Sequence, residues 1–310
     1  MENITNNEIS KNILKTIADI TEYPTGAFNI RENGKGIKRN TTENVDIITK
    51  QDKQGIDIII KENTKKEFVH IPVVITESGI EDTVYNDFYI GKNAEVTIVA
   101  GCGIHTHCGE KSQHDGIHTF YLETGAKVKY IEKHYGQGAG TGNKILNPKT
   151  VVNLKEGSFL EMETVQIEGV DSTIRETVGI VEKDANFIIM EKIMTHGNQF
   201  AKTEFDVKLI GDNASAKVTS RAVAKNNSKQ EFLSKISGDT NCFGHVECDA
   251  IIMDNATIKA VPEILANDVD ARLIHEATIG KIAGEQLTKL MTLGLSEEEA
   301  EKEIINGFLK

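Results

Sequence analysis

The least ordinary chemistry in this sequence belongs to its four cysteines, two of which lie near histidines and carboxylates. Cys248 stands in a run with the sequence HVECDAIIMD, whose alternation is typical of a strand. Because alternate strand residues share a face, Cys248 is expected on the face of Val246, Ala250 and Ile252. Strand parity taken alone therefore favours a core thiol over a metal ligand.

A potential nitrogen and oxygen ligand pair, His275 and Glu276, follows one strand-like segment later. Adjacent residues in a strand point to opposite faces, so only one of the pair can share the face of Cys248 unless a bulge intervenes. One thiol and one such ligand cannot complete a metal shell. Two copies related by a two-fold axis could, because such an interface brings the same residues together twice.

A second cluster combines thiols and imidazoles, the ligands that zinc or iron would use. Its spacing does not match that of a zinc knuckle, and polar residues at the edge of a strand are the alternative interpretation. A reactive thiol at Cys102 is a third, because nearby histidines could lower its pKa. The cluster contains Cys102, His105, His107 and Cys108, followed by His114 and His118.

The glycine-rich stretch GQGAGTGNK at residues 136–144 only superficially resembles a phosphate-binding loop. The P-loop spacing is not met, and neither GKS nor GKT occurs in the sequence. We predict a flexible loop here and no nucleotide hydrolysis by this chain.

Composition limits the partners. The net charge of −12 and the scarcity of clustered Lys or Arg argue against nucleic acid, and no apolar run is long enough to span a bilayer. The first residues lack the features of a signal peptide, so we expect a cytoplasmic protein. In that reducing compartment the cysteines should not form disulfides.

The element that must position these residues is a long block of short strands. An amphipathic helix is predicted at Glu8 to Ile20, and period-two runs of β-branched residues then follow from about Gly36 to Gly280. A small residue preceded by Gly, Asn or Asp recurs at spacings of roughly 32, 32, 27, 29 and 42. This repeat favours a β-solenoid over antiparallel hairpins. The small residues are Ala94, Ala126, Ser158, Ala185, Ala214 and Ala256.

Helical patterns return at the C-terminus. A helix from Gly284 should end at Gly294, and Ser296 with Glu299 forms a capping box that opens a second helix. Because the end of a solenoid must be covered, the two helices are expected to cap it or to form a docking surface. The predicted segments are an N-terminal helix and linker at 1–35, a β-helix core at 36–280 and C-terminal helices at 281–310.

The chain resembles the SufB/SufD family of iron–sulfur assembly proteins. The most specific part is the tail, where HEATIGKI from His275, EQL from Glu285, LGLSEEEA from Leu293 and NGF from Asn306 are similar to family segments. Upstream, Glu247-Cys248-Asp249 resembles a QCDS segment of SufB. Gly101-Cys102, His118 and GAKVKY from Gly125 also match.

The resemblance implies a right-handed parallel β-helix and a non-enzymatic scaffold for a transient iron–sulfur cluster, [4Fe-4S] by expectation. It places Cys248 on the cluster cysteine, Glu276 on a carboxylate ligand and His275 on a histidine ligand at a protomer interface. Cys102 falls on the cysteine that receives sulfur, although the continuation GCGIH departs from the family pattern.

The resemblance also implies partners. A SufC-like ABC ATPase should bind the C-terminal helices, and the chain should pair with itself as a homodimer. A sulfur donor and apo iron–sulfur proteins would supply and accept the cargo. The alternative function is a zinc-dependent enzyme that uses Cys102, His105, His107 and Cys108. A third hypothesis is an adaptor with inert thiols.

Overall fold

The computed structural model describes residues 4–310, so the first three residues of the predicted N-terminal segment lie outside it. Twenty strands wind into a β-solenoid of about eight turns, with one helix before them and two after. The helices are α1 (Glu8–Ala18), α2 (Gly284–Thr292) and α3 (Glu297–Phe308). The strands are β1 (Ala27–Glu32), β2 (Lys35–Asn40), β3 (Val45–Thr49), β4 (Gly55–Ile60), β5 (Glu67–Ile75), β6 (Glu81–Ile90), β7 (Glu95–His105), β8 (Ser112–Leu122), β9 (Lys127–Gln137), β10 (Lys144–Leu146), β11 (Lys149–Leu154), β12 (Phe159–Glu168), β13 (Ser172–Val181), β14 (Asn186–Thr195), β15 (Phe200–Leu209), β16 (Ser215–Ala224), β17 (Lys229–Gly238), β18 (Phe243–Ile252), β19 (Thr257–Ala266) and β20 (Arg272–Gly280).

Two sheets of ten strands form the walls of the solenoid. Sheet 1 has the order β2-β1-β5-β7-β9-β12-β14-β16-β18-β20, and sheet 2 runs β19-β17-β15-β13-β10-β8-β6-β4-β3, with β11 also between β13 and β8. Among the strands that the structure describes, only the β1–β2 and β3–β4 pairs at the N-terminal end are antiparallel. The prediction of a mainly β, parallel β-helix is confirmed.

The turns explain the repeat. Asn93, Gly125, Gly157, Asp184 and Asn213 all have φ between 55° and 70°, a region that Gly, Asn and Asp enter most readily. The small residue after each of them is buried. The last predicted repeat belongs to the other sheet, because Ala256 precedes β19 in sheet 2. Cys242 instead precedes β18 and follows Ala214 in sheet 1, which accounts for the irregular spacing.

Strand alternation fills the interior. In β14 every second residue is buried, and the same pattern recurs in most central strands. Phe88 and Phe120 from neighbouring turns stack with ring centroids 4.4 Å apart, and Tyr130 packs on them edge-on. The main core is a continuous apolar cluster that extends from Ala27 to Cys248.

Helix α1 lies on the outer face of sheet 1. Asn7 caps it by accepting hydrogen bonds from the backbone amides of Ile9 and Ser10. Its apolar face needs close approach to β7, and a Cβ atom at Gly103 would collide with Ile13. The sheet begins at Ala27, before the predicted boundary at residue 36, because β1 pairs with β5.

Helix α3 lies on the outer wall of the solenoid, and α2 contacts α3. The predicted capping box of Ser296 and Glu299 is present. Helix α3 buries Ile305 against Val223, and Lys225 forms an ion pair with Glu301. The expectation that the helices cap the solenoid end is wrong, because the residues of β19 and β20 are exposed or half-buried. None of the helices within residues 4–310 is long and apolar enough to cross a membrane.

Candidate functional site

Cys248 points into the solenoid, as strand parity predicts. Its relative exposure is 1%, and it belongs to the main apolar core. Burial raises the pKa of this thiol to about 12, and the negative charges of Glu191 and Asp249 act in the same direction. The thiol is therefore protonated in the isolated chain at neutral pH.

The last strand separates the two predicted ligands. The β18–β20 register sets His275 beside Val246 and Ala277 beside Cys248, so His275 takes the inner face. Glu276 lies beside Glu247 on the outer face, where its Oε2 atom is 3.3 Å from Nε2 of His245. The Nε2 atom of His275 is buried and has no hydrogen-bond partner among residues 4–310. Burial and the neighbouring His245 lower the pKa of His275, which favours the neutral imidazole that binds metals.

The solenoid is open at this end. Strands β19 and β20 form the C-terminal edges of the two sheets, and within residues 4–310 no further turn covers them. An exposed edge with apolar side chains is a surface for pairing with another chain. The exposed apolar residues of this last turn are Val261, Ile264, Leu265, Val269, Ile274 and Ile279.

Cys102 lies near the other end of the same interior. It lines a cavity of about 20 Å³, which is room for one water molecule. Burial raises the pKa of its thiol well above the ordinary value, helped by the charges of Asp82, Glu132 and Asp115. The prediction that histidines lower this pKa is wrong, because desolvation dominates. The polar residues around the cavity are Asn86, His114, His118, Glu132 and His134.

A chain of buried polar side chains begins at this cavity. The hydroxyl of Tyr130 donates to Oε1 of Glu132 at 3.1 Å, and Nδ1 of His118 lies 2.7 Å from the same hydroxyl. Oε1 of Glu132 is also 3.5 Å from Nε2 of His134. Burial opposes ionisation of Glu132, yet His134, His118 and Arg175 hold the pKa of its carboxyl well below the usual range. Glu132 is therefore a buried anion.

Arg175 continues the chain toward Cys248. Its guanidinium lies 3.9 Å from Oε2 of Glu132 and 3.5 Å from Oε1 of Glu191, so charge rather than short hydrogen bonds holds the three together. Glu191 accepts hydrogen bonds of 2.8 Å from Thr203 and Ser220. Glu191, Ser220 and Cys248 line one narrow cavity. A polar track thus runs inside the solenoid from Cys102 to Cys248.

The histidine-rich segment does not form the predicted zinc centre. His105 and His107 have ring centroids 6.4 Å apart, and His107 contacts Ser78. Within residues 4–310 no three His, Cys, Asp or Glu side chains are arranged to hold a metal ion. The zinc-enzyme alternative, with Cys102, His105, His107 and Cys108 as ligands, therefore finds no support.

The glycine-rich stretch is part of the solenoid wall. The backbone amides of Gly140 and Gly142 donate to the carbonyls of Thr106 and Cys108, the segment one turn earlier. A Cβ atom at Gly142 would collide with Glu110. Residues 138–143 form a loop between β9 and β10, as predicted, and these glycines allow it to lie close to the preceding coil.

The family "SUF system FeS cluster assembly, SufBD core domain" matches residues 81–308. The chain belongs to the SufBD family. The match begins at β6 and ends in α3, so it includes both cysteine regions and the last turn.

Curated SufBD relatives agree. The chain is 29% identical to "Iron-sulfur cluster assembly SufBD family protein MJ0034" of Methanocaldococcus jannaschii, over 81% of this chain and 79% of that protein. An Archaeoglobus fulgidus SufBD family protein is 29% identical over 73% of this chain, which spans 60% of that relative. "Iron-sulfur cluster assembly protein SufB" of Bacillus subtilis is 35% identical over 33% of this chain and 23% of that protein.

Sequence reasoning missed the buried polar track of this SufBD protein. Glu132, His134, Arg175 and Glu191 attract no attention as motifs, because they are spread over three strands that are far apart in the sequence. The available signal was their parity: each occupies an inward position of an alternating strand where an apolar residue is expected.

Proposed function

We propose that this chain is a scaffold on which an iron–sulfur cluster is assembled at the interface of two copies and passed to apo-proteins. One observation carries the proposal. The solenoid ends in an uncovered turn, where the unpaired Nε2 atom of His275 lies one strand from the Cys248 thiol. Thiolate and imidazole are ligands that iron accepts.

Two copies supply what one chain lacks. An isologous contact between open ends would cover the exposed edges of β19 and β20 and bring two sets of Cys248 and His275 together, while Glu276, on the outer face of β20, could replace His275 only if the end of that strand turned. Two ligands from each copy make four, the number that a [4Fe-4S] cluster requires. Replacing thiolates with imidazole or carboxylate weakens the hold on iron. A scaffold needs weak ligation, because the cluster is its cargo.

Cys248 must become accessible before it can bind iron, because its thiol is buried and protonated. We infer that a SufC-like ATPase supplies the movement through the C-terminal helices. Helix α3 is tied to β16, since Arg221 donates to the carbonyl of Phe308. Helix α2 buries none of its residues and exposes Met291, which leaves a surface for this partner.

Cys102 is the proposed sulfur acceptor. A sulfur donor would load this thiol, and the sulfur would move through the interior toward Cys248. The track of Glu132, Arg175 and Glu191 supports this route, because it joins the two cysteine regions without leaving the solenoid. In this proposal the chain itself turns over no substrate and acts in the cytoplasm.

The test is anaerobic reconstitution with iron and sulfide, read by visible absorption and Mössbauer spectroscopy. We expect about one cluster per dimer in the wild type. Cys248→Ser should abolish the signal, and His275→Ala and Glu276→Ala should weaken it. Cys242→Ser is the matched control, because Cys242 is also a buried thiol in the main core. His196→Ala is the matched control for His275, because His196 is an exposed histidine in the turn after β14, away from the last coil.

Two results would contradict the proposal. A cluster signal that survives Cys248→Ser would remove the proposed ligand. A signal that is lost equally in Cys242→Ser would mean that the substitutions act through the core rather than through ligation.

A further inference from the structure

Two histidines converge on the Cys102 cavity from the opposite wall. His114, Gly116 and His118 occupy successive inward positions of β8. A Cβ atom at Gly116 would lie 3.3 Å from Nε2 of His118 and 3.5 Å from Nε2 of His114. Both Nε2 atoms therefore face the space above Gly116. Cys102 lines the same cavity from β7.

Hydrogen bonds give the two imidazoles different roles. Nδ1 of His114 is 3.1 Å from Oδ2 of Asp82, and this carboxylate can only accept, so Nδ1 carries the proton. The lone pair of a neutral His114 is then at Nε2, toward the cavity. In His118 the Nε2 atom already accepts from Nδ2 of Asn86 at 3.3 Å.

The two imidazoles also differ in their charged surroundings. Burial opposes ionisation of Asp82, but His114 and Arg31 outweigh it and lower the pKa of the carboxyl, which can therefore stabilise an imidazolium at His114. Burial lowers the pKa of His118 to about 4, so that imidazole is uncharged at neutral pH. The remaining ionisable groups that line the cavity are Glu132 and His134 from β9. Arg31 from β1 pairs with Asp82, and Arg175 from β13 lies 3.9 Å from Glu132.

We propose that His114 is the general base that removes the proton from the Cys102 thiol and that Asp82 is its positioning residue. This inference rests on the proposed role of Cys102 as sulfur acceptor. The buried thiol needs such a base, because only the thiolate is nucleophilic. The cavity admits one water molecule, through which the proton can pass.

The step balances without an oxidant. The Cys102 proton moves to Nε2 of His114, and the thiolate attacks the outer sulfur of a persulfide R–S–SH on the donor. A bond forms between Cys102 Sγ and that sulfur while the S–S bond of the donor persulfide breaks. The leaving R–S⁻ takes the proton from His114, giving R–SH and Cys102–S–SH.

The experiment measures how fast methyl methanethiosulfonate modifies Cys102 in the full chain, with the site mapped by mass spectrometry. At neutral pH we expect His114→Asn and Asp82→Asn to slow this modification about 100-fold, in the range of general-base contributions. His118→Asn is the matched control in the same cavity and should stay within about threefold of the wild type. The reagent is kept at a low concentration, so that the modification rate is proportional to it. Local opening of the solenoid wall, which admits the reagent, then contributes to the rate in the same way in every variant.

The pH profile separates a base from a structural support. The His114→Asn rate should rise by about tenfold per pH unit, as for a lone thiol of raised pKa, whereas the wild-type rate should rise less steeply because a base inside the cavity takes the proton. Equal rates in wild type and His114→Asn would overturn the proposal. So would equal losses in the two histidine variants, or no reaction of native Cys102 between about pH 6 and pH 9.

Failure of the base and failure of the acceptor are distinguishable. Sulfur loading from a persulfide donor is measured separately in Cys102→Ser. If that variant still loads sulfur and reconstitutes a cluster, the acceptor role is lost, yet the modification rates still report whether His114 activates the thiol.

Discussion

The two ends of the solenoid interior hold similar thiols in opposite surroundings. Cys102 and Cys248 both point inward, and burial raises the pKa of both. Around Cys102 the chain provides its own histidines and carboxylates, and α1 covers β7 from outside. Around Cys248 it provides an open edge and an unpaired imidazole. The polar groups around Cys102 therefore come from one chain. The region of Cys248 instead has a strand edge and an imidazole without partners among residues 4–310.

The largest effect that should distinguish these regions is loss of the buried cation of the track. Arg175→Met leaves Glu132 and Glu191 buried without their shared partner. Breaking a buried charge group by removing one member typically costs about 3–5 kcal/mol. We expect a loss of that size in the free energy of unfolding, measured by guanidinium denaturation.

The matched control is Lys183→Met. Lys183 pairs with Glu156 at 3.1 Å, but both side chains are more than half exposed, and such surface pairs contribute about 0–1 kcal/mol. Similar losses in the two variants would show that the interior charges are not the stabilising part of the track.

A smaller effect should appear with pH. The pKa of His118 is about 4 in the folded chain and about 6.5 when unfolded, so the unfolded chain takes up the proton first as pH falls. Stability is therefore lost between those two values. From pH 7 to pH 5 this one group should cost about 2 kcal/mol in the free energy of unfolding.

The measurement is guanidinium denaturation of wild type and His118→Gln at both pH values. The variant should lose less stability on acidification by about the same 2 kcal/mol. His196→Gln removes an exposed histidine from the turn after β14. Its free energy of unfolding should fall on acidification as steeply as that of the wild type. An unchanged slope in His118→Gln would mean that this imidazole is not held neutral by burial.

The comparison also shows what sequence can reveal. Local signals predicted the turns, the solenoid and the α3 capping box, because each depends on residues a few positions apart. Alternation correctly placed Cys248 in the interior. It did not reveal the polar track, because Glu132, Arg175 and Glu191 meet only through the register and packing of strands on two walls. Period two fixes the face of a residue and not its neighbour in the next coil.

Placement of the C-terminal helices was beyond the sequence for a similar reason. An amphipathic face shows that α3 must pack on something, yet it does not say which surface. The outward side chains Met194, Val223 and Ile251 in three neighbouring strands provide that surface on the wall. As a result the end of the solenoid stays open, which no local pattern indicates.

The smallest effect on folding should accompany the clearest effect on assembly. Ile264 occupies an inward position in β19 and is 43% exposed, because no further coil covers it. A lysine there can keep its stem on the apolar surface and its ammonium in water, so Ile264→Lys should cost less than about 1 kcal/mol in unfolding free energy.

The same substitution places a charge in the proposed interface, where two copies would bring two such charges together. Sedimentation velocity should therefore show dimers for the wild type and monomers for Ile264→Lys. Ile180→Lys is the control, since Ile180 is 37% exposed but lies on the outer wall of β13, away from the end. If Ile264→Lys remains dimeric, or Ile180→Lys is equally monomeric, the open end is not where two copies meet, and the contrast between a self-sufficient Cys102 region and an incomplete Cys248 region fails.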